Sequence, residues 1–424
     1  MGMTETRGSR RRLRACRECD LVQALPALHA GQKAECSRCG CTLVRRFHRP
    51  AQRSLALGLA ALLALLLAVL LPLVSFRFGG VGNRIDLGDT ATTLLGYQQP
   101  LVALAVAATT IVLPGFYVAG LCWLQYAILR HRSSPRERAL ARILAKLQPW
   151  LMADVFIIGA LVSLIKIAGS ADVGIGAGFW AFSAFALLLL WCTQSIDADW
   201  LWYSLAGEPQ APAGIRRGQS AAGQGCTGCH TCGLIALTAA AHHCERCGST
   251  LHARVPHSLQ QTMALLIAAA LLYIPANVYP IMSTVSLGRE NASTILGGVT
   301  QLLEHGSWPV ALVIFIASVV VPVAKLLVLS WLCLASGGTS HRNAHWRTRL
   351  YRITEFVGRW SMVDVFVVAL LVALIRADSL MSVYPGPAAL AFCGVVILTM
   401  LAALGFDPRL VWDTHEPRPL EATA

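Results

Sequence analysis

Eight apolar runs, near residues 54–75, 100–129, 149–168, 177–196, 259–283, 308–335, 360–376 and 386–406, alternate with stretches where polar and basic residues gather. A helix needs roughly 20 apolar residues to cross a bilayer, so each run predicts one transmembrane helix. The even number puts both termini on one side. The polar stretches are unequal in Lys and Arg. Residues 7–53 carry Arg7, Arg10, Arg11, Arg12, Arg14, Arg45, Arg46, Arg49 and Arg53; 130–148 and 336–359, read as loops, are similarly basic. The alternate loops 76–99, 169–176 and 284–307 hold only Arg77, Arg84 and Arg289. By the positive-inside rule the basic stretches, and with them both termini, are cytoplasmic. The first run starts only near Ser54, so no cleavable signal peptide is expected.

The pattern repeats. Laid over 350–378, residues 140–168 match at a constant offset of 210: Leu140, Arg142, Ile143, Trp150, Met152, Asp154, Val155, Phe156, Leu161, Val162, Leu164 and Ile165 recur as Leu350, Arg352, Ile353, Trp360, Met362, Asp364, Val365, Phe366, Leu371, Val372, Leu374 and Ile375. Asp197 pairs with Asp407 and Trp202 with Trp412 at the same offset, and Pro114 with Pro322 at a nearby one. The chain is a duplication. Each half has an even number of spans, so the copies share one orientation, as in parallel repeats related by an axis along the membrane normal.

Composition agrees with a bilayer protein: 55% of the 424 residues are hydrophobic, 13% are charged and the mean hydropathy is +0.58. The net charge of +13 is accounted for by topology, since the arginines sit in the short stretches between spans.

Eight of the fourteen cysteines form paired knuckles: Cys16 and Cys19 with Cys36 and Cys39, and Cys229 and Cys232 with Cys244 and Cys247. A two-residue spacer lets one turn present two thiolates, and two such turns complete the closed tetrahedral site of a structural Zn(II). Gly40 and Gly248 follow the second knuckles, where a left-handed conformation is often needed. A dithiol redox pair or a rubredoxin-like iron site is the competing reading. Cys41 and Cys226 have no counterpart in the other copy and are read as non-ligating, although Cys226 could replace Cys229 through an alternative spacing. His230, His242 and His243 are read as solvated loop residues. Cys122, Cys192, Cys333 and Cys393 are read as small buried hydrophobes. A basic zinc ribbon can bind nucleic acid, but one fused to a membrane span favours a structural or docking role, so no nucleic-acid partner is expected.

Ionisable residues at membrane depth usually carry function. Lys325 falls inside the sixth span with no basic counterpart near Tyr117, and Asp364 opens the seventh. Ser361, three residues before Asp364, and Ser318, seven before Lys325, fall on the same helical faces as their partners, and Thr399 lies midway along the eighth span. Two readings stand: a polar relay that gates the bundle or carries protons, and an ion pair that merely locks helices or a Lys325 that snorkels to the interface. Asp154 and Asp364 recur in both copies and suit architecture. Lys166 and Arg376 mark the periplasmic ends of their helices, and Pro114, Pro275, Pro280 and Pro322 are expected to kink spans. The sequence has no Walker loop following a strand, no GxSxG elbow and no HExxH helix, so no enzymatic activity is expected.

Several fragments together resemble the paraquat-inducible protein A family (PqiA, with its LetA relatives): Cys16-Arg-Glu-Cys19-Asp20, Tyr273-Ile274-Pro275-Ala276-Asn277, Ser293-Thr294-Ile295-Leu296, Phe356-Val357-Gly358-Arg359-Trp360-Ser361-Met362-Val363-Asp364-Val365-Phe366 and Phe406-Asp407-Pro408-Arg409-Leu410. The resemblance implies a bacterial inner-membrane protein of two tetraspanin-like four-helix modules with cytoplasmic zinc ribbons. It also implies a periplasmic MCE-domain partner that forms a lipid tunnel, phospholipid as cargo, and a proton-coupled network at Ser318, Lys325, Ser361, Asp364 and Thr399.

The reading is an all-α polytopic membrane protein. Its parts are a ribbon segment at 1–53, a four-helix module at 54–202, a linker and second ribbon at 203–257, a second module at 258–412 and a tail at 413–424. Two structural Zn(II) ions are expected, and the leading function is loading or receiving lipid at an MCE tunnel. The rivals are a zinc- or redox-responsive membrane sensor and a small-molecule exporter acting alone.

Overall fold

The computed structural model describes residues 12–78, 81–168, 172–208, 210–238, 242–286, 289–304, 306, 308–336, 343–374, 376–377 and 381–413. Arg7, Arg10, Arg11, Arg342, Ile375 and the tail from 414 lie outside the described residues, as do the side chains of Arg77, Arg289, Lys166 and Arg376.

The chain opens with two antiparallel hairpins, β1 (Leu13–Ala15) with β2 (Val22–Ala24) and β3 (Lys33–Glu35) with β4 (Thr42–Arg45). The first span, α1 (Pro50–Leu70), starts on a proline whose missing N–H would have had no helical partner anyway. A hairpin, β5 (Val74–Phe78) and β6 (Val81–Ile85), and a short helix, α2 (Asp89–Gly96), lead to the second span. That span is α3 (Pro100–Ala107) and α4 (Leu113–Leu129) joined by one π-helical turn at Ala108–Val112. The third is α5 (Pro135–Leu147) and α6 (Ala153–Ala168), broken by a 3-10 turn at Gln148–Trp150. Strand β7 (Asp172–Ile175), the fourth span α7 (Ala177–Gln194) and α8 (Ala198–Ala206) close the first half.

The second half follows the same order. The hairpin β8 (Cys226–Gly228) and β9 (Ile235–Leu237) precedes α9 (Ser258–Val278), β10 (Met282–Ser286), β11 (Arg289–Ser293) and α10 (Ile295–Glu304). Its second span is α11 (Trp308–Phe315) and α12 (Val321–Ala335), again joined by a π turn, at Ile316–Val320. Its third is α13 (Ala344–Gly358) and α14 (Val363–Leu374), broken at Arg359–Met362, and β12 (Arg376–Ala377), β13 (Met381–Pro385) and α15 (Pro387–Gly405) complete it.

Among the described residues eight helices are long and apolar enough to cross a membrane, so the chain is a multi-pass membrane protein of two tandem four-helix modules. Leu59, Leu63, Leu66 and Leu70 lie exposed on α1, as lipid-facing side chains do.

Two features differ from the sequence expectation. The basic stretches read as loops carry helices α5 and α13, so each third span is 31 residues long, about 46 Å against a hydrocarbon core of about 30 Å. Ser134 caps α5 and Glu137 reaches back to the Ser134 backbone in a capping box. The opposite end of the bundle carries two small antiparallel sheets, ordered β6-β5-β7 and β11-β10-β13-β12. Both register alike: Val74 pairs with Ile85 and Ile175, and Met282 with Ser293 and Pro385. The fourth spans start where only glycine fits. A Cβ on Gly176 would meet the Pro72 carbonyl oxygen at 2.1 Å, and one on Gly386 the Pro280 oxygen at 2.1 Å.

The modules meet along α6 and α14. All of α14, Val363–Leu374, is buried. Gly159 permits the approach, since a Cβ there would lie 2.9 Å from that of Phe366.

Candidate functional site

The ribbon end of the bundle holds both cysteine quartets. Cys16, Cys19, Cys36 and Cys39 bring their sulfurs within 4.8 Å of one another, and Cys229, Cys232, Cys244 and Cys247 do the same. Each forms from two knuckles in which a backbone N–H returns to the first cysteine carbonyl: Asp20 to Cys16 at 2.9 Å, Gly40 to Cys36 at 2.9 Å, Gly233 to Cys229 at 2.9 Å and Gly248 to Cys244 at 2.7 Å. All four returning residues have positive φ, between 60° and 75°, so glycine holds three of these positions and Asp20 tolerates the fourth.

Sulfur pairs lie 3.5 Å apart for Cys16–Cys39 and Cys229–Cys247 and 3.4 Å apart for Cys19–Cys36 and Cys232–Cys244. Four thiolates about 2.3 Å from one ion would be separated by about 3.8 Å, so both quartets fit a tetrahedral metal. Their mutual hydrogen bonds hold Cys16 well below and Cys19 well above the usual thiol range, the conflict a bound cation resolves. Cys226 is outside its quartet, in a cluster with Leu13, Val22, Ala221 and Ile235 between the ribbons. Cys41 is buried beside the first quartet, its thiol directed to the Thr42 carbonyl. No histidine joins either group among the described residues.

The ribbons bridge the modules. Arg46 pairs with Asp197 at 3.5 Å and Asp199 at 3.2 Å, past the end of the fourth span that follows the first ribbon. The Val255 N–H donates to Asp407 at 3.1 Å, at the equivalent place in the second half. Each second knuckle, however, is held by the other half: Arg352 donates to the Cys39 carbonyl at 2.9 Å, and Arg142 to the Gly248 carbonyl at 2.8 Å. Arg142 and Arg352 are repeat counterparts, so the crossing is pseudo-symmetric. Arg352 also pairs with Glu18, and Arg254 joins Asp20 at 3.1 Å. Burial pushes the Asp20 carboxyl up despite Arg254. For Asp407 burial also pushes up, but Arg409 at 2.8 Å outweighs it and holds the carboxyl low.

The polar residues expected at membrane depth are all buried: Ser318, Lys325, Ser361, Asp364 and Thr399 are each 5% exposed or less. Lys325 donates to Thr399 Oγ1 at 2.9 Å and lies 3.4 Å from the Gly358 carbonyl, and Thr399 donates onward to the Val396 carbonyl at 3.0 Å. Among the described residues Lys325 is in no ion pair, with Asp364 or any other acid. It does not snorkel. A Cβ on Gly358 would sit 3.0 Å from Lys325 Nζ, so glycine leaves the room the amine occupies. Asp364 lies in the first turn of α14, where the helix dipole favours an acid. Ser318 lies in the π turn and donates to the Ile314 carbonyl at 2.6 Å. Ser361 Oγ, in the turn before α14, has no hydrogen-bond partner among the described residues.

Tyr273 was not singled out as a site residue from the sequence. A proline at 322 cannot return an N–H to Ser318, and the Tyr273 phenol donates to that carbonyl at 3.4 Å while lying within electrostatic reach of Asp364. Tyr273 thus holds the Ser318 backbone, and its place in the Tyr-Ile-Pro-Ala-Asn fragment, two residues before a proline inside the span, was the available signal. In the first half Thr110 occupies the equivalent π turn, buried, but Tyr117 replaces Lys325. Of the buried polar residues it is the lysine that is confined to one copy.

A family model described as paraquat-inducible protein A matches twice, at residues 51–206 and 259–416, once per module. The Intermembrane transport protein PqiA of Escherichia coli strain K12 is 41% identical over 401 residues, covering 94% of this chain and 95% of that protein. The Lipophilic envelope-spanning tunnel protein A of the same strain is 32% identical over 401 residues, 95% of this chain and 91% of that protein. A probable intermembrane transport protein of Haemophilus influenzae is 26% identical over 420 residues, 95% and 96% of the two chains. No solved structure matches.

Proposed function

The chain belongs to the paraquat-inducible protein A family, and from that premise we propose that it is the inner-membrane component of an intermembrane lipid transport system. It loads phospholipid into, or receives it from, a tunnel of MCE domains on the periplasmic side. The observation that carries this reading is the near end-to-end similarity to a protein named for intermembrane transport.

The ribbons and both termini face the cytoplasm, because Arg12, Arg14, Arg45, Arg46, Arg49 and Arg53 cluster with α5 and α13 at one end of the bundle. The two sheets then face the periplasm, where an MCE partner docks. Units 1–53 and 203–257 serve as ribbons for modules 54–202 and 258–412. Each quartet holds a structural Zn(II), which supplies folding energy and no open coordination position. The chain performs no enzymatic chemistry.

Lys325, Thr399, Ser318, Ser361 and Asp364 form the network through which proton movement drives the cycle. What supports this is burial. An amine within a span, in no ion pair among the described residues and held by a hydroxyl and a carbonyl, stays costly enough to change its protonation with small changes in packing.

The test is affinity purification from native membranes with crosslinking, read by mass spectrometry. Recovery of an MCE protein with enriched phospholipid supports the reading. Recovery of neither, under conditions that keep a known membrane complex intact, overturns it and favours an exporter acting alone or a sensor.

A further inference from the structure

A cavity of about 450 Å³ opens at the ribbon end between the modules, and Lys325 forms its inner limit. It lies where the two repeats face each other. Ala145, Gln148 and Pro149 line one side, and their counterparts at the 210 offset, Glu355, Gly358 and Arg359, line the other. The pseudo-symmetry fails here in charge: among the lining residues the first four-helix module contributes no ionised group, whereas the second contributes Glu355, Arg359, Arg352 and Lys325, and the first ribbon adds Arg17.

Four basic groups stand against Glu355 on the wall and Glu18, which holds Arg352. Four minus two leaves a formal excess of two positive charges. Glu355 is within electrostatic reach of Arg17 and Arg359.

The remaining wall is apolar and reaches outward. Phe356 is 58% exposed and Leu404 is 40% exposed, and Leu404 is in the last turn of α15. Guanidinium groups beside an apolar wall at a helix end suit one kind of ligand: a phosphate group that accepts paired N–H bonds, with room beside it for hydrocarbon.

We infer that this cavity binds the phosphate group of an anionic amphiphile from the ribbon-side leaflet, with Arg17 and Arg359 as its principal contacts. The site rests on the lipid-transport reading above and adds to it a headgroup class and a point of entry. Lipid headgroup and free phosphate share this chemistry, and the experiment separates them.

The full-length protein in detergent is analysed by native mass spectrometry with phosphatidylglycerol and with diacylglycerol of the same chains, and separately titrated with inorganic phosphate. Phosphatidylglycerol retained in preference to diacylglycerol, and weakened about tenfold or more by Arg17→Gln with Arg359→Gln, supports the site. Binding by Arg359→Lys that is intermediate between the wild type and Arg359→Gln, as a point charge without the paired N–H bonds gives, supports it further. Phosphate binding that needs the same arginines, without lipid retention, identifies free phosphate as the source. Equal retention of the two lipids, or phosphatidylglycerol and phosphate binding both unchanged in the double variant, overturns the site. An unchanged metal content in the variants reports intact ribbons. Retention of lipid independent of these arginines sinks this site alone, whereas no lipid of either class together with no MCE partner sinks the transport reading.

Discussion

Phe156 and Phe366 occupy the same position in the two copies of the duplicated unit, and they touch. Their ring centroids are 5.4 Å apart with the planes at 74°. Contact between a residue and its own counterpart is the mark of an isologous interface, the kind a two-fold axis generates. The axis passes between α6 and α14, and the chain departs from it at Lys325 and along the wall of the cavity.

The approach of these helices depends on Gly159, where a Cβ would also come 3.2 Å from the Val363 carbonyl. Gly159→Leu should destabilise the protein by about 1–3 kcal/mol through overpacking. Thermal melting in detergent checks this, and an unchanged midpoint would mean that the interface yields freely.

Metal analysis of the purified protein should give two zinc ions per chain, and Cys16→Ser should leave one. Cys226→Ser should still give two, because Cys226 sits in the cluster between the ribbons. A loss of metal in that variant would move the thiol into the coordination shell.

Lys325→Met should abolish phospholipid transfer to the MCE partner while leaving metal content and folding intact. Tyr273→Phe removes one hydrogen bond to the Ser318 carbonyl, worth about 0.5–1.5 kcal/mol, and should weaken function without abolishing it. A fully active Lys325→Met would remove the network from the mechanism.

Arg352→Gln should raise hydrogen exchange at the first ribbon, and Arg142→Gln at the second, each in the half opposite the substitution. Exchange that rose only within the substituted half would contradict the crossed contacts.

Asp407 carries a pH signature. Its carboxyl is held below the ordinary value by Arg409, so its stabilisation is complete above about pH 4 and is lost as pH falls through the depressed value. Melting of the wild type should therefore drop more steeply than that of Asp407→Asn below about pH 4. Parallel profiles would assign the acid sensitivity elsewhere.

Much of this architecture is legible before any coordinates. Long apolar runs declare the spans, and the knuckle spacing declares the quartets, because each signal lies within a few consecutive residues. The 210-residue offset reveals the duplication for the same reason. The sheets at the far end were invisible: strands such as Val74–Phe78 are short and pair with segments about a hundred residues away. Helix α5 hid behind its arginines, although Ser134, Pro135 and Glu137 together spell a helix start. Asp364 and Lys325 looked like partners because they are opposite in charge. The amine meets Thr399 instead, since register between helices, which sequence periodicity does not encode, decides what a buried side chain reaches.

Crossing of the ribbons gives the chain the mechanics of a diagonal brace. Each strut is rooted in one half and fastened to the other, so the halves cannot rock about their common axis without straining the joint at Arg142 or at Arg352. Closure at one face of the membrane would thus be felt at the opposite face as tension across the struts.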